Sequence, residues 1–274
     1  MIGLSYHAGG MKDLPLQDVV SILSDVGYDA IEMMCGPEAH IPSGEITDSL
    51  LRDVKLLTDD HGLQVSVINP FTGKGLYYLA LEDMQAAIDH YAILQDVAVT
   101  LDAGGVNFLT GYGGDKGDAY AWKILVDVLK PICQRAEELG ITMNIHNHEA
   151  NTIDTSSKVL LLIEHVGSDA LKVLNDITNF YHLGEDIAEV TEKLGSLTTH
   201  CHVKGVTGMY PYSTFLIPGE ERDELDFRTF AETLGNVGYD KYISVETFPQ
   251  MRMEKAQIAY QMMATTLKEL GLRQ

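Results

Sequence analysis

The chain has 274 residues, of which 45% are hydrophobic and 22% are charged. This composition is typical of a folded globular protein and excludes intrinsic disorder over most of the chain, because enough apolar surface is present to offset the entropy lost on folding. The 19 basic and 40 acidic residues give a formal net charge of −21. Such a charge repels phosphate backbones and anionic membranes, so it disfavours nucleic acid and membrane surfaces as partners.

Cysteine usage and the first residues indicate the compartment. The three cysteines, Cys35, Cys133 and Cys201, show no paired spacing, which argues against a disulfide framework. The opening segment has neither a basic stretch nor a long apolar run, so it does not resemble a secretory signal. No segment approaches the roughly 18 apolar residues that a membrane-spanning helix needs. We therefore expect a soluble, cytoplasmic protein.

Short β-rich runs alternate with amphipathic helical segments along the whole chain. This alternation is typical of βα units built around a parallel sheet. The strands are predicted, in chain order, at Ile2–Tyr6, Asp29–Met34, Leu63–Asn69, Val106–Thr110, Ile141–His148, Leu171–Asp176, Thr198–Lys204 and Tyr242–Thr247.

The intervening helices complete the pattern. The first follows Pro15 and ends at Gly27, and the fourth ends near Gly140. The others are predicted at about 49–61, 78–103, 157–166, 187–194, 227–237 and 254–270. Eight strands in strict alternation with helices, over this length, predict an α/β fold with a single (β/α)8 TIM barrel in one domain spanning residues 1–274. A doubly wound sheet is the alternative, but HAGGMKD after the first strand lacks the GxGxxG fingerprint.

Polar side chains mark the ends of four successive predicted strands. Active sites of such barrels lie at the C-terminal ends of the strands, where residues two apart share a face. Imidazoles and carboxylates together suit a divalent transition ion, and burying them without a partner would be costly. The residues concerned are His146 and His148 on strand five, Asp176 on strand six, His200, His202 and Lys204 on strand seven, and Glu246 on strand eight.

Five segments carry a resemblance to a known family. They are GYDAIEM (27–33), HNHEANT (146–152), LND (174–176) with Asn179, HCHVKG (200–205) and the stretch from ELDF to GYDKYISVET (224–247). Their order resembles the xylose-isomerase-like barrel superfamily of sugar phosphate isomerases and epimerases. That superfamily includes ketose 3-epimerases, inosose isomerases and dehydratases, and endonuclease IV. The resemblance covers nearly the whole chain.

The resemblance implies one bound divalent ion, with Mn expected and Co, Zn, Fe or Mg as alternatives. Asp176, His202 and Glu246 match three of the family's ligand positions. The fourth position is often a glutamate, and here it is His146, with Glu149 just beyond it as the alternative ligand. By the same resemblance, Glu246 and His146 are the expected acid–base residues, since histidine can also transfer protons near neutral pH.

Four further side chains are expected to contact the substrate, namely Glu32, His148, Asn179 and Lys204. Each has an alternative role. Asn179 could cap a helix or turn, and Lys204 could pair with a neighbouring carboxylate. His148, together with His200, could orient the metal ligands.

The leading functional hypothesis is a divalent-metal-dependent isomerase or epimerase acting on a keto-sugar or cyclitol, by proton transfer alpha to a carbonyl through an enediolate. A lyase on the same scaffold is the alternative, either an inosose-type dehydratase or a 3-keto-glycoside deglycosidase subunit. A non-catalytic barrel that binds a sugar or a partner subunit is a third hypothesis, and a homo-oligomer is left open. An apurinic-site endonuclease is disfavoured by the net charge of −21 and by Asn179, which stands where a second-metal histidine is expected.

Overall fold

The computed structural model of the protein describes residues 1–71, 73–114, 117–246 and 253–274. Eight parallel strands pair side by side, and the first pairs with both the second and the last, so the sheet closes into a barrel. The predicted (β/α)8 TIM barrel is therefore confirmed. The strands are β1 Gly3–His7, β2 Ala30–Gly36, β3 Gln64–Pro70, β4 Gly105–Leu109, β5 Thr142–His146, β6 Leu171–Asp176, β7 Thr198–Val203 and β8 Tyr242–Val245.

Helices surround the barrel and bury their apolar faces against the outer side of the strands. Two predicted stops are confirmed, because Gly27 and Gly140 end their helices at φ 106° and 70°, a left-handed conformation that glycine adopts without steric cost. The helices are α1 Leu16–Val26, α2 Asp48–Asp60, α3 Leu76–Glu82, α4 Met84–Thr100, α5 Asp118–Leu139, α6 Ser156–Val166, α7 Ile177–His182, α8 Ile187–Leu194, α9 Phe227–Asn236 and α10 Met253–Glu269.

The helical layer differs from the prediction at two places. The continuous helix predicted at 78–103 is two helices, because Asp83 is extended and its side chain accepts a hydrogen bond (3.0 Å) from the Ala86 backbone N–H, which starts α4. The short α7 was not predicted, and Asp176 caps it by accepting from the Asn179 backbone N–H at 3.1 Å. A break of one residue, or a helix of six residues, is too short to change the periodicity of apolar residues from which helices are predicted.

The strand ends also differ from the prediction. β5 ends at His146, two residues before the predicted end, and β7 ends at Val203. β8 ends at Val245, and Thr247 of the predicted strand lies outside the described residues. Between β7 and α9 the chain forms a short antiparallel pair of strands, Gly205–Thr207 with Thr214–Leu216.

The interior of this barrel is largely polar. Barrel interiors are commonly filled by layers of branched apolar side chains, whereas here hydrogen bonds cross from strand to strand through the centre. This polar column leads from the N-terminal end of the barrel to the cavity at its C-terminal end. Its buried members include Ser5, Glu32, Ser66, Asn107, Asn144, His200, His202 and Ser244.

The structure also bears on membrane-spanning helices and on the state of the cysteines. In the described ranges, no helix combines the length and the apolarity needed to cross a membrane. Cys35, Cys133 and Cys201 are all buried and free.

Candidate metal centre

Four ligand-type side chains meet at the C-terminal end of the barrel. His146, Asp176 and His202 lie on β5, β6 and β7, and Glu246 directly follows β8. Each offers one donor atom, and these atoms all lie within 4.8 Å of one another. The first three residues are buried, while 25% of the Glu246 side chain is exposed. We call these four residues the upper group.

The donor atoms of the upper group face one another closely. His146 Nε2 lies 3.1 Å from Asp176 Oδ2. His202 Nδ1 lies 3.2 Å from Glu246 Oε2 and 3.9 Å from Asp176 Oδ2. Two imidazole nitrogens with two carboxylates form a donor set that suits Mn, Fe, Co or Zn.

Lys204 contributes a buried positive charge beside the upper group. Its ammonium donates hydrogen bonds to Asp176 and, at 2.7 Å, to Glu246 Oε2. Burial lowers the pKa of Lys204, but the charges of these two carboxylates outweigh burial and raise it above the usual lysine value. Of the two roles considered for Lys204, the structure shows the pairing with neighbouring carboxylates.

The protonation states of three of these donors suit a metal ligand. Burial raises the pKa of Asp176, but the charge of Lys204 and the hydrogen bond with His146 lower it to about 2. Lys204 and His202 likewise hold the pKa of Glu246 well below its usual range, against the effect of burial. Burial lowers the pKa of His146 to about 4, because the opposing attraction of Asp176 is weaker. At neutral pH the carboxylates are therefore charged and His146 is neutral, as metal ligation requires.

His202 is the exception. Burial lowers its pKa, but the charge of Glu32 and the hydrogen bond with Glu246 outweigh burial and raise it to about 10. A metal ion at Nδ1 would take the place of one proton on this ring. With that exchange, the donor set fits a divalent ion.

A second set of ligand-type residues, Glu32, His200 and His202, lies beneath the upper group and is fully buried. We call it the lower group. Glu32 Oε2 accepts from His202 Nε2 at 2.7 Å and from His200 Nε2 at 3.2 Å. Its Oε1 accepts from Asn69 Nδ2 at 2.8 Å and from Asn107 Nδ2 at 2.9 Å. The expected contact of Glu32 with substrate hydroxyls is not what the structure shows, because the carboxylate is enclosed and already has four donors.

A cavity of about 290 Å³ opens above the upper group. Its size is at the lower end of the range for small-molecule sites. A second cavity of about 400 Å³ adjoins it, shares Asn69, Phe71 and Leu109 with it, and reaches Tyr112. The lining of the first cavity includes His7, Lys12, Phe71, His146, His148 and Glu246.

The alternatives for the strand-five ligand are separated in space. His146 belongs to the upper group, whereas Glu149 Oε2 lies 3.0 Å from His148 Nδ1 and 3.5 Å from His182 Nε2. His148 lies two residues beyond the end of β5. Its side chain lines the cavity and is 36% exposed. The chain therefore places His146 among the four ligand-type residues and holds Glu149 against two histidines.

Asn179 also takes a position different from the expected substrate contact. It is fully buried, and its Nδ2 donates to Asp176 Oδ2 at 2.9 Å and to the Asn147 carbonyl at 2.8 Å. Asn179 thus orients a member of the upper group.

Three asparagines that the sequence analysis did not select hold this region together, namely Asn69, Asn107 and Asn144. Asn69 lines both cavities and also contacts His7 Nε2 at 2.8 Å. From the sequence, these asparagines could have been found as polar residues at inward positions of otherwise apolar strands.

Fold and site together define a TIM barrel with ligand-type side chains at its C-terminal mouth. The chain belongs to the xylose isomerase-like TIM barrel family, whose profile matches residues 20–266. An inosose dehydratase of Geobacillus thermodenitrificans is 25% identical over 140 residues, which cover 46% of this chain and 46% of that enzyme. The match thus spans less than half of that relative.

Two solved structures have a similar fold. An IolI protein with a binding zinc atom superposes with a TM-score of 0.81 at 17% identity, covering 98% of this chain and 99% of that chain. D-Psicose 3-epimerase with D-tagatose, from Clostridium cellulolyticum H10, gives a TM-score of 0.80 at 15% identity, with coverage of 97% and 99%. At such identities the likeness establishes a shared fold.

Proposed function

We propose that the protein is a divalent-metal-dependent isomerase or epimerase acting on a keto-sugar or cyclitol, by moving a proton alpha to the carbonyl. The observation that carries this proposal is the upper group, four donors of metal-ligand type, two of which, His146 and Glu246, line a cavity of about 290 Å³. The proposed ion is Mn, with Co, Zn, Fe or Mg as alternatives. Free, buried cysteines support a cytoplasmic location.

His146, Asp176, His202 and Glu246 would hold the ion, which when bound acts as a Lewis acid on the substrate carbonyl. Glu246 is the proposed base. Its pKa lies well below the usual range, so it is charged at neutral pH, and its partly exposed side chain borders the cavity. Lys204 holds the Glu246 carboxylate in place through the 2.7 Å hydrogen bond.

His146 is the second proposed acid–base residue, because its imidazole is neutral and lines the cavity. His148, also on the cavity wall, is the proposed contact for a substrate hydroxyl. Reprotonation on the opposite face of the substrate would require a group such as His146, because Glu149 is held against His148 and His182.

A dehydratase is the second candidate. The upper group presents one carboxylate, Glu246, to the cavity, and a single base is enough when a hydroxyl lies beta to the carbonyl. The base takes the alpha proton, the carbon–oxygen bond breaks, and hydroxide leaves and is protonated to water, giving an enone. The inosose dehydratase relative supports this reading.

The test is solvent exchange in deuterated water. The Mn-loaded protein is incubated with a ketohexose, an inosose and a 3-keto-glucoside, and NMR follows deuterium at the carbon next to the carbonyl. We expect exchange with at least one of them in the wild type and its loss in Glu246→Gln. The control Glu232→Gln alters a half-exposed carboxylate on α9 and keeps the exchange. An isomer as product supports the epimerase, and an enone supports the dehydratase. Absence of exchange with every compound would contradict both.

A further inference from the structure

Glu32 lies at the centre of the barrel, beneath the metal donors, and is fully buried. The two oxygens of its carboxylate accept hydrogen bonds from different kinds of donor. Two asparagine amides, Asn69 and Asn107, bind Oε1, while the ring nitrogens of His200 and His202 bind Oε2. Because every one of these contacts is inside the protein, Glu32 acts on its neighbours and does not meet a ligand in the cavity.

His202 is the residue that both groups share. Its Nε2 points down to Glu32 at 2.7 Å, and its Nδ1 points up to Glu246 at 3.2 Å. The ring is also confined from the sides, with centroid distances of 4.9 Å to His146, 5.6 Å to His200 and 5.5 Å to His7. The contact with Glu32 is the shortest hydrogen bond that this ring makes, so it sets which nitrogen faces the upper group.

We propose that Glu32 is a positioning residue, which keeps Nδ1 of His202 directed at the metal ion by accepting the hydrogen of Nε2. This inference rests on the proposed metal-dependent function. A carboxylate behind a ligating histidine fixes the orientation of the ring, fixes which nitrogen carries the hydrogen, and makes the other nitrogen a better ligand. Without such an acceptor, the ring could present its protonated nitrogen to the ion.

The hydrogen bonds beneath Glu32 orient Asn107, one of the amides that bind its carboxylate. Asn107 Oδ1 accepts from Asn144 Nδ2 at 2.9 Å. Asn144 Oδ1 in turn accepts from the hydroxyls of Thr142 at 2.8 Å and Thr199 at 2.7 Å, near the N-terminal end of the barrel. Asn107 and Asn144 thus each donate toward Glu32 and accept from the opposite side, and an uncharged amide at position 32 would place its own NH₂ against donors on one side.

The substitution Glu32→Gln therefore tests the proposal with almost no change in shape. We expect the affinity for Cd²⁺ or Mn²⁺ to fall by about 10- to 100-fold, which is the usual effect of losing such a partner. Ser244→Ala is the matched control. Ser244 Oγ lies 3.0 Å from His200 Nε2, and Ser244 pairs in register with His202 across β7 and β8. We expect this control to keep the wild-type affinity.

A second readout does not depend on the variant folding. In wild-type protein labelled with ¹⁵N-histidine and loaded with ¹¹³Cd²⁺, we expect cadmium coupling to Nδ1 of His202 and a retained hydrogen on Nε2. Coupling to Nε2 would overturn the proposal whatever the variant does.

The remaining outcomes separate this inference from the metal function itself. Wild-type affinity in Glu32→Gln would overturn the positioning role and leave the metal centre standing. Two cadmium ions per chain would identify the lower group as a metal site and also overturn the positioning role. A wild-type chain that binds no ion would overturn the metal centre first, and the inference with it.

Discussion

The upper and lower groups consist of the same residue types and share His202. They differ in the surroundings of their ligand atoms. In the upper group, Glu246 is 25% exposed, and Glu246 and His146 line a cavity of about 290 Å³. In the lower group, Glu32 is sealed in the barrel and accepts four hydrogen bonds. The comparison teaches that histidines and carboxylates make a candidate metal centre where one side of the group opens to a cavity, and not where the group is enclosed on all sides.

Charge distinguishes the two groups as well. Glu32, Asp176 and Glu246 are charged at neutral pH, and their positive partners are Lys204 and His202. Both cations touch Glu246, the carboxylate that borders the cavity. Pairing of this kind is what allows charges to be buried. A divalent ion in the upper group would bring positive charge to the same carboxylates.

The largest effect should follow from Asp176→Asn, which removes a charged donor from the upper group. We expect the Mn²⁺ affinity to fall by more than about 100-fold, because losing a ligand costs more than losing a partner behind it. The unfolding free energy of the metal-free chain should fall by about 3 kcal/mol, since the buried Lys204 loses Asp176, the fully buried one of its two carboxylate partners. Calorimetric Mn²⁺ titration and urea denaturation measure the two quantities. Unchanged affinity would place the ion elsewhere.

The pH dependence of metal binding should reflect His202. Its pKa is raised to about 10 in the folded metal-free chain, so an ion at Nδ1 has to displace one proton at any lower pH. The affinity for Mn²⁺ should therefore increase with pH, by about tenfold per unit between pH 6 and 8. Chelator competition at several pH values checks this slope. A flat profile would show that His202 is not a ligand.

His200→Gln should distinguish the two groups directly. His200, in the lower group, contacts Glu32 and also Ser244, and a glutamine amide can still donate a hydrogen bond. We expect the unfolding free energy to fall by about 1 kcal/mol, with the metal content unchanged. Thermal unfolding and elemental analysis give both values. A chain that loses its ion in this variant would show that the lower group also binds metal.

The smallest effect is expected for Glu149→Gln. Glu149 is held against His148 and His182, and its side chain is 19% exposed. We expect a stability change of about 0.5 kcal/mol, typical of a partly exposed ion pair, and an unchanged Mn²⁺ affinity. The same titration used for Asp176→Asn provides the measurement. A loss of affinity would make Glu149 the strand-five ligand in place of His146.

Much of the fold could be predicted from the sequence because it depends on local signals. Alternating β-rich and amphipathic runs indicate the barrel, and Gly27 and Gly140 mark helix ends by their lack of a side chain. The break at Asp83 was missed because a single extended residue hardly alters the apolar periodicity on either side.

The candidate site was also predictable only in part. His146 and Asp176 could be selected because each ends a strand on the inward face. The bond from His202 to Glu32 joins residues 170 positions apart, and only closure of the barrel brings them together. The pairing of Lys204 with Asp176 likewise depends on the register between strands.

The most direct test of the account is the number of ions that the wild-type chain holds. Purified protein is stripped with a chelator, reloaded with Mn²⁺, freed of excess ion and analysed for manganese per chain. The account predicts one ion, held by the upper group, with the lower group closed by its own hydrogen bonds. No retained ion would contradict the metal centre, and two retained ions would contradict the distinction between the groups.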